Sequence, residues 1–238
     1  MTNNIITIDG LASSGKTSAG VRLAQELGYK FVDSGSIYRA GCLSLLRSGS
    51  SMRDDQASQI FDSMDLAFST ENGEYKVFLS GEDVTEFLGS PQITEIVPVV
   101  GSGELVRLSV KSRQLAFAKG KNLVVTGRDV GSEIFPDAQI KYYLTANPEI
   151  RALRRFIQSQ SIGGVETYEG ILEEIKRRDH LDSTREISPS RIPVDASVID
   201  TSSLSLNEVV RALFGMAVER LGELRSDEGR NFRSREML

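Results

Sequence analysis

The residues best suited to chemistry stand in one short run, Gly10-Leu11-Ala12-Ser13-Ser14-Gly15-Lys16-Thr17. Its spacing, GxxxxGK[ST], suits the cradling of phosphates. Glycines let consecutive backbone N–H groups turn inward, Lys16 adds a point charge at the β and γ oxygens, and Thr17 offers its hydroxyl to magnesium. Ser18 extends the run into a helix whose positive end faces the anion. An ordinary strand-to-helix turn with Lys16 in solvent uses similar residues. The context a cradle requires is nevertheless present, because the apolar run Ile5-Ile6-Thr7-Ile8 precedes it and a helical pattern follows.

Arginines form the second set. Ten lie between Arg107 and Arg191, several beside glycine, aspartate or proline where a solvated helix face does not demand them. Surface salt bridges account for some, and the rest suit an anionic site. The DxxG and [NT]KxD strings of a GTPase switch are absent, and no acidic pair of the motor ATPase kind ends an apolar strand. Instead Leu123–Thr126 runs into Gly127-Arg128-Asp129, a single carboxylate beside an arginine, which fits a site where an anionic acceptor approaches ATP. A phosphate monoester is largely a dianion at neutral pH, so such an acceptor needs no strong base. The obstacle is repulsion, about 4 kcal/mol for two unit charges 4 Å apart at an effective dielectric near 20. Planar, permanently charged guanidinium groups offset it.

These groups need elements to position them. After the first strand, Ala19, Leu23, Ala24 and Leu27 recur at helical spacing from Lys16 to Leu27, and Gly28 closes the helix. A strand at Lys30–Val32 reaches Asp33-Ser34-Gly35, and a helix follows around Ile37–Leu46. Further strands are read at Leu123–Thr126, Ile140–Leu144 and Ala196–Ile199, with helix starts at Asn147-Pro148 and at Ser205 with Glu208. This alternation predicts an α/β fold, a parallel sheet with helices on both faces. Phe68–Leu88, with Asn72-Gly73 in its turn, reads as a small antiparallel insertion, and Ser159–Thr167, with Ile162-Gly163-Gly164, as a lid between two arginine-bearing helices.

Composition narrows the classes. A net charge of -5 argues against a surface that grips nucleic acid. No apolar run nears the roughly 20 residues of a membrane span, and the first residues lack a secretory pattern. Cys42 is the sole cysteine and reads as core, and His180, the sole histidine, as a helix-surface residue. A cytoplasmic protein is expected, and, with no heptad seam, a monomer.

Further motifs follow the cradle in order: Asp33-Ser34-Gly35-Ser36-Ile37-Tyr38-Arg39, Gly127-Arg128-Asp129-Val130-Gly131, Phe135-Pro136-Asp137-Ala138, Arg177-Arg178-Asp179, Asp182, Arg185, Pro189, Asp195-Ala196 and Ile199-Asp200-Thr201-Ser202. With them the chain resembles bacterial-type cytidylate kinases from Ile5 to about Leu221. The resemblance implies a P-loop kinase fold with an acceptor-binding insertion and a short lid, moving phosphate from magnesium-bound ATP to CMP or dCMP. It divides the chain into one kinase domain over 1–222, with the insertion at about 36–104 and the lid at about 154–168, and a charged tail at 223–238 expected to fray. Residue by residue, it sets Ser34, Arg39 and Arg128, helped by Arg185, at the acceptor phosphate and Arg107 at the cytosine edge. Asp129 becomes an organiser of base or phosphate, Arg178 and Asp182 face the pentose, and Arg154 and Arg155 fall in the lid beside ATP. Lys16, Arg128, Asp129 and Arg185 form the expected catalytic set.

The match has departures. The cradle lacks the family's usual proline and some of its glycine, although Thr17 directly after Lys16 preserves the magnesium position. In Ile96–Glu104, where the family commonly offers a serine to the base, this chain reads Val97-Pro98-Val99-Val100-Gly101-Ser102-Gly103. Either Ser102 substitutes from a shifted loop or base selectivity relaxes. Arg178 and Asp182, four apart on a helix, also suit a plain surface pair. A P-loop kinase for UMP, another nucleoside monophosphate or shikimate remains an alternative reading, as does a module that holds ATP without turnover.

Overall fold

Short apolar, β-branched runs build the central sheet of the computed structural model, which describes residues 3–71, 73–161 and 164–235, without the side chains of 71 and 225–235. Along the chain, β1 (Ile5–Gly10), α1 (Lys16–Leu27), β2 (Lys30–Asp33), α2 (Ser34–Ser48) and α3 (Asp54–Ser63) come first. The insertion strands β3 (Leu66–Glu71), β4 (Glu74–Leu79) and β5 (Glu82–Asp83) precede α4 (Pro91–Val100) and α5 (Glu104–Ala118). The remainder is β6 (Leu123–Thr126), β7 (Ile140–Thr145), α6 (Pro148–Ser161), α7 (Tyr168–Thr184), β8 (Ser197–Asp200) and α8 (Leu206–Arg235).

The main sheet has the order β2-β6-β1-β7-β8 and every pairing in it is parallel. Residues of α1 and α8, such as Leu23 and Leu213, cover one face, and Ile37, Val106 and Val110 from α2 and α5 cover the other. All four residues of β6 are buried, which explains an unbroken apolar run where a half-exposed strand would alternate. The expected α/β architecture is the one observed.

Helix α2 starts at Ser34, three residues earlier than its apolar spacing suggests, because the Asp33 carboxylate accepts the Ser36 N–H at 3.0 Å and caps it. The insertion forms its antiparallel sheet, β3-β4-β5, as expected. Tyr75 on β4 ties that sheet to the core: its hydroxyl lies 2.8 Å from Ser36 Oγ and accepts the Asp33 N–H at 3.3 Å. Asn72 of the expected turn and Ile162 and Gly163 of the lid lie outside the described residues.

Ser102 lies in the short turn between α4 and α5, and most of the segment before it is helical. Helix α4 continues to Val100, with Pro98 inside. The ring removes a helical bond to the Thr94 carbonyl, a loss tolerated within the last turn, where buried Val97 and Val100 still anchor the helix. Helix α8 carries helical backbone to Arg235; residues 236–238 lie outside the description. Cys42 is fully buried and His180 exposed on α7. Among the described residues, no helix is long and apolar enough to cross a membrane.

Candidate active site

At the carboxyl ends of β1, β2 and β6 the sheet opens into a cleft of about 1010 Å³. A close approach delivers β1 into it: a Cβ on Gly10, at φ +143°, would stand 2.0 Å from the Leu144 carbonyl oxygen of β7, so no larger residue fits. Ala12 to Ser18 line the cleft, while Gly10 and Leu11 stand behind them. Lys16 curls over the loop, its Nζ donating to the Leu11 carbonyl at 2.5 Å and to Ser14 Oγ at 3.5 Å. Burial, and then the charge of Arg128, hold the Lys16 pKa well below the ordinary lysine value. An anion entering here relieves that penalty.

The facing wall is a network of guanidinium groups braced by two carboxylates. Asp129 forms a buried ion pair with Arg107, and a second arginine, Arg185, lies 3.3 Å from the same carboxylate. Asp182 meets Arg128 at 2.9 Å, Arg185 at 3.4 Å and Arg178 at 4.0 Å. Arg128 also donates to the Gly10 carbonyl at 2.5 Å, which ties this wall to the cradle. Burial, then neighbouring Arg128, lowers Arg178 to about 10, and burial followed by Arg107 lowers Arg185. Eight cationic side chains line the cleft against five carboxylates, an excess suited to anions.

Every arginine singled out from the sequence for this site opens onto the one cleft, together with Ser34, Asp129 and Asp182. Arg178 and Asp182 are about a fifth exposed, at 21% and 18%, so the plain surface pair does not describe them. Arg39, lowered in pKa chiefly by burial, reaches the Leu88 carbonyl at 2.7 Å and Thr94 Oγ1 at 3.1 Å. Ser34 is buried and receives the Gln114 amide at 3.3 Å. Arg154 lines the cleft but is bonded to Thr201, with Nη1 on its Oγ1 at 3.0 Å and Nη2 on its carbonyl at 2.5 Å. Ser102 gives its hydrogen to the Val99 carbonyl at 2.7 Å.

Three residues were not picked out by the sequence reading: Asp9, Asp33 and Arg151. Asp33 had a legible signal, an acid between a strand end and a helix start. Besides capping α2, it accepts Thr126 Oγ1 at 2.7 Å and lies 3.5 Å from Thr17 Oγ1. Asp9 is fully buried, and its carboxylate accepts the Val130 and Gly131 N–H groups at 2.8 and 2.7 Å, holding the turn that carries Arg128 and Asp129.

Burial raises Asp9 from 3.8 to about 6, against the pull of those two hydrogen bonds. A folded-state pKa above the unfolded one means the native protein binds this proton more tightly. The associated stability is therefore full below the unfolded value and is lost as pH rises through about 6. The stability difference between wild type and Asp9→Asn is expected to move in favour of wild type by about 1 kcal/mol between pH 7.5 and pH 5. Urea unfolding of both proteins at each pH measures it, and a difference flat across that range contradicts the assignment.

The cytidylate kinase family model matches residues 6–218. A cytidylate kinase of Mycobacterium leprae (strain Br4923) is 38% identical over 224 residues, spanning 93% of this chain and 99% of its own. One from Caldanaerobacter subterraneus subsp. tengcongensis is 41% identical over 210 residues, spanning 88% and 92%. Another, from Caldicellulosiruptor bescii, is 40% identical over 207 residues, spanning 87% and 92%. Matched from β1 into α8, cradle and arginine wall included, this chain belongs to the cytidylate kinase family.

Proposed function

We propose that the protein transfers the γ-phosphoryl group of ATP to CMP or dCMP, giving ADP and CDP or dCDP. One observation carries the reading: the Lys16 cradle and the braced arginines share a single cleft. The cradle amides and Lys16 take the triphosphate. Arg128 and Arg185, steadied by Asp182 and Asp129, together with Ser34 and Arg39, take the acceptor phosphate. Guanidinium forks then offset the repulsion between the two anions and stabilise the charge spread over the γ oxygens during transfer. The dianionic acceptor supplies its own nucleophile, so no side chain has to remove a proton.

Magnesium fits the cleft, where the Thr17 hydroxyl and Asp33 carboxylate offer hard oxygen donors beside the cradle. When bound, it supplies neutralisation of charge on the β and γ oxygens. Cytosine presents acceptors at O2 and N3 and a donor at its amine, which suits Arg107 as donor and Asp129 as acceptor. Because Ser102 spends its hydrogen on Val99, the hydroxyl oxygen offers lone pairs, a match for an amine and a mismatch for the uracil carbonyl.

The test is an acceptor panel of CMP, dCMP, UMP and shikimate with ATP and magnesium, scored by ADP formed. CMP and dCMP are expected to exceed UMP by about tenfold or more, since a mispaired buried polar group costs about 1–3 kcal/mol. Preference for UMP or shikimate overturns the acceptor, and ATP binding without any turnover overturns the kinase.

A further inference from the structure

The most buried arginine of the lid helices is neither Arg154 nor Arg155 but Arg151, in the first turn of α6, at 1% exposure. Its guanidinium joins three parts of the fold. Nε donates to the Ala146 carbonyl beyond β7 at 2.8 Å, and Nη1 donates to the cradle carbonyl of Ala12 at 3.3 Å and to Asp179 Oδ2 on α7 at 2.6 Å. One turn later, Arg154 holds Thr201, whose Oγ1 lies 3.1 Å from a second cradle carbonyl, that of Ser14. Arg151 and Arg154 thus both reach the phosphate cradle, one directly and one through Thr201.

The peptide unit is rigid and planar, with its C=O and N–H pointing opposite ways. Holding the Ala12 carbonyl outward therefore fixes the direction of the Ser13 N–H, and holding Ser14 fixes that of Gly15. These are amides of the phosphate-binding run. Asp179, the other partner of Arg151, directly follows Arg178 and stands three residues before Asp182 on α7, the helix that supplies the acceptor-side network. One buried guanidinium thereby joins the donor cradle to the acceptor wall.

We infer that Arg151 is a positioning residue that orients the cradle amides toward the triphosphate and, through Asp179, fixes them against α7. This rests on the kinase reading above and adds a residue to it. A purely structural ion pair would lower thermal stability and leave the kinetics of folded molecules alone. A positioning role changes how ATP is held and how fast phosphate moves, while CMP still finds its own arginines.

The experiment compares wild type, Arg151→Lys, Asp179→Asn and the double variant, with rates normalised to the folded fraction from circular dichroism. In each variant KM for ATP is expected to rise about tenfold and kcat to fall about tenfold, while CMP affinity measured calorimetrically without ATP stays within twofold of wild type. The double variant should be no worse than the poorer single, since both break one junction. If Arg151→Lys does not fold, Asp179→Asn decides, because Asp179 is partly exposed and asparagine keeps its shape while removing the charge that holds Arg151. Normalised kcat and both KM values within twofold of wild type overturn the inference, as does an equal rise in the two KM values. Wild type that makes no CDP in the same assay fails the kinase reading instead, so the two failures are told apart.

Discussion

Replacing Lys16 by methionine is expected to lower kcat for CDP formation about a thousandfold, the scale of losing one pre-organised charge aimed at a transferring phosphoryl group. The fold should survive the change. The charge of Lys16 is poorly accommodated, with its pKa lowered first by burial and then by Arg128, and its hydrogen-bond partners are neutral oxygens of Leu11 and Ser14. Methionine keeps the stem and removes that strain. Thermal denaturation should therefore place the variant at or above the wild-type Tm, while steady-state assays with saturating ATP and CMP show the lost turnover. A variant keeping more than a tenth of wild-type kcat would remove Lys16 from the chemistry. A variant that melts well below wild type would show that the strain was misread.

Asp129→Ala is expected to have the second large effect, on two readouts at once. Asp129 is 6% exposed and Arg107 is 8% exposed, so their ion pair is largely shielded from water at the cleft wall, and Arg185 leans on the same carboxylate. Deleting one member of such a cluster leaves charge buried without its counterion, at a cost of about 3–5 kcal/mol. Arg107 keeps the Gly101 carbonyl at 2.8 Å and the Tyr38 ring, and Arg185 keeps Ser188 and Asp182. The two guanidinium groups then repel each other and move off the positions proposed for the base edge and acceptor phosphate. In numbers, kcat/KM for CMP should fall about a thousandfold, a loss of about 4 kcal/mol in transition-state stabilisation, while the affinity for ATP changes far less. Urea unfolding and CMP kinetics on the folded fraction check the two halves separately. Lost stability with intact CMP kinetics would reduce Asp129 to a structural brace and remove it from the acceptor site.

Much of this site was legible because it is local. The cradle is a backbone conformation, and eight consecutive residues carry all the information that conformation requires; α1 begins and ends at the residues its spacing predicts. Buried strands announce themselves by unbroken apolar runs, so the α/β alternation and the antiparallel insertion were readable too. The place of Pro98 was not legible. A proline lacks the N–H of a helix interior, yet the buried side chains on either side of it hold α4 together to Val100, and tertiary packing overrode a local preference.

The arginines divide in a similar way. Composition and the neighbours of each residue pointed to an anionic site and to which arginines to suspect. It did not show which carboxylate each one meets. Asp9 finds its partners 121 and 122 residues away, and Arg151 finds Ala12 across 139. Such pairings follow from the strand order β2-β6-β1-β7-β8, which sets the end of β1 between the turns after β6 and β7. An aspartate before a glycine reads as a turn former, and an arginine on an amphipathic helix reads as solvated. Only enclosure in a low-dielectric interior turned Asp9 and Arg151 into obligatory hydrogen-bonding partners, because an unpaired charge there costs several kcal/mol. The chain therefore carries the identity of the phosphate cradle in its local spacing, while the bracing of that cradle against the acceptor side arises from burial, which exists only once the sheet has assembled.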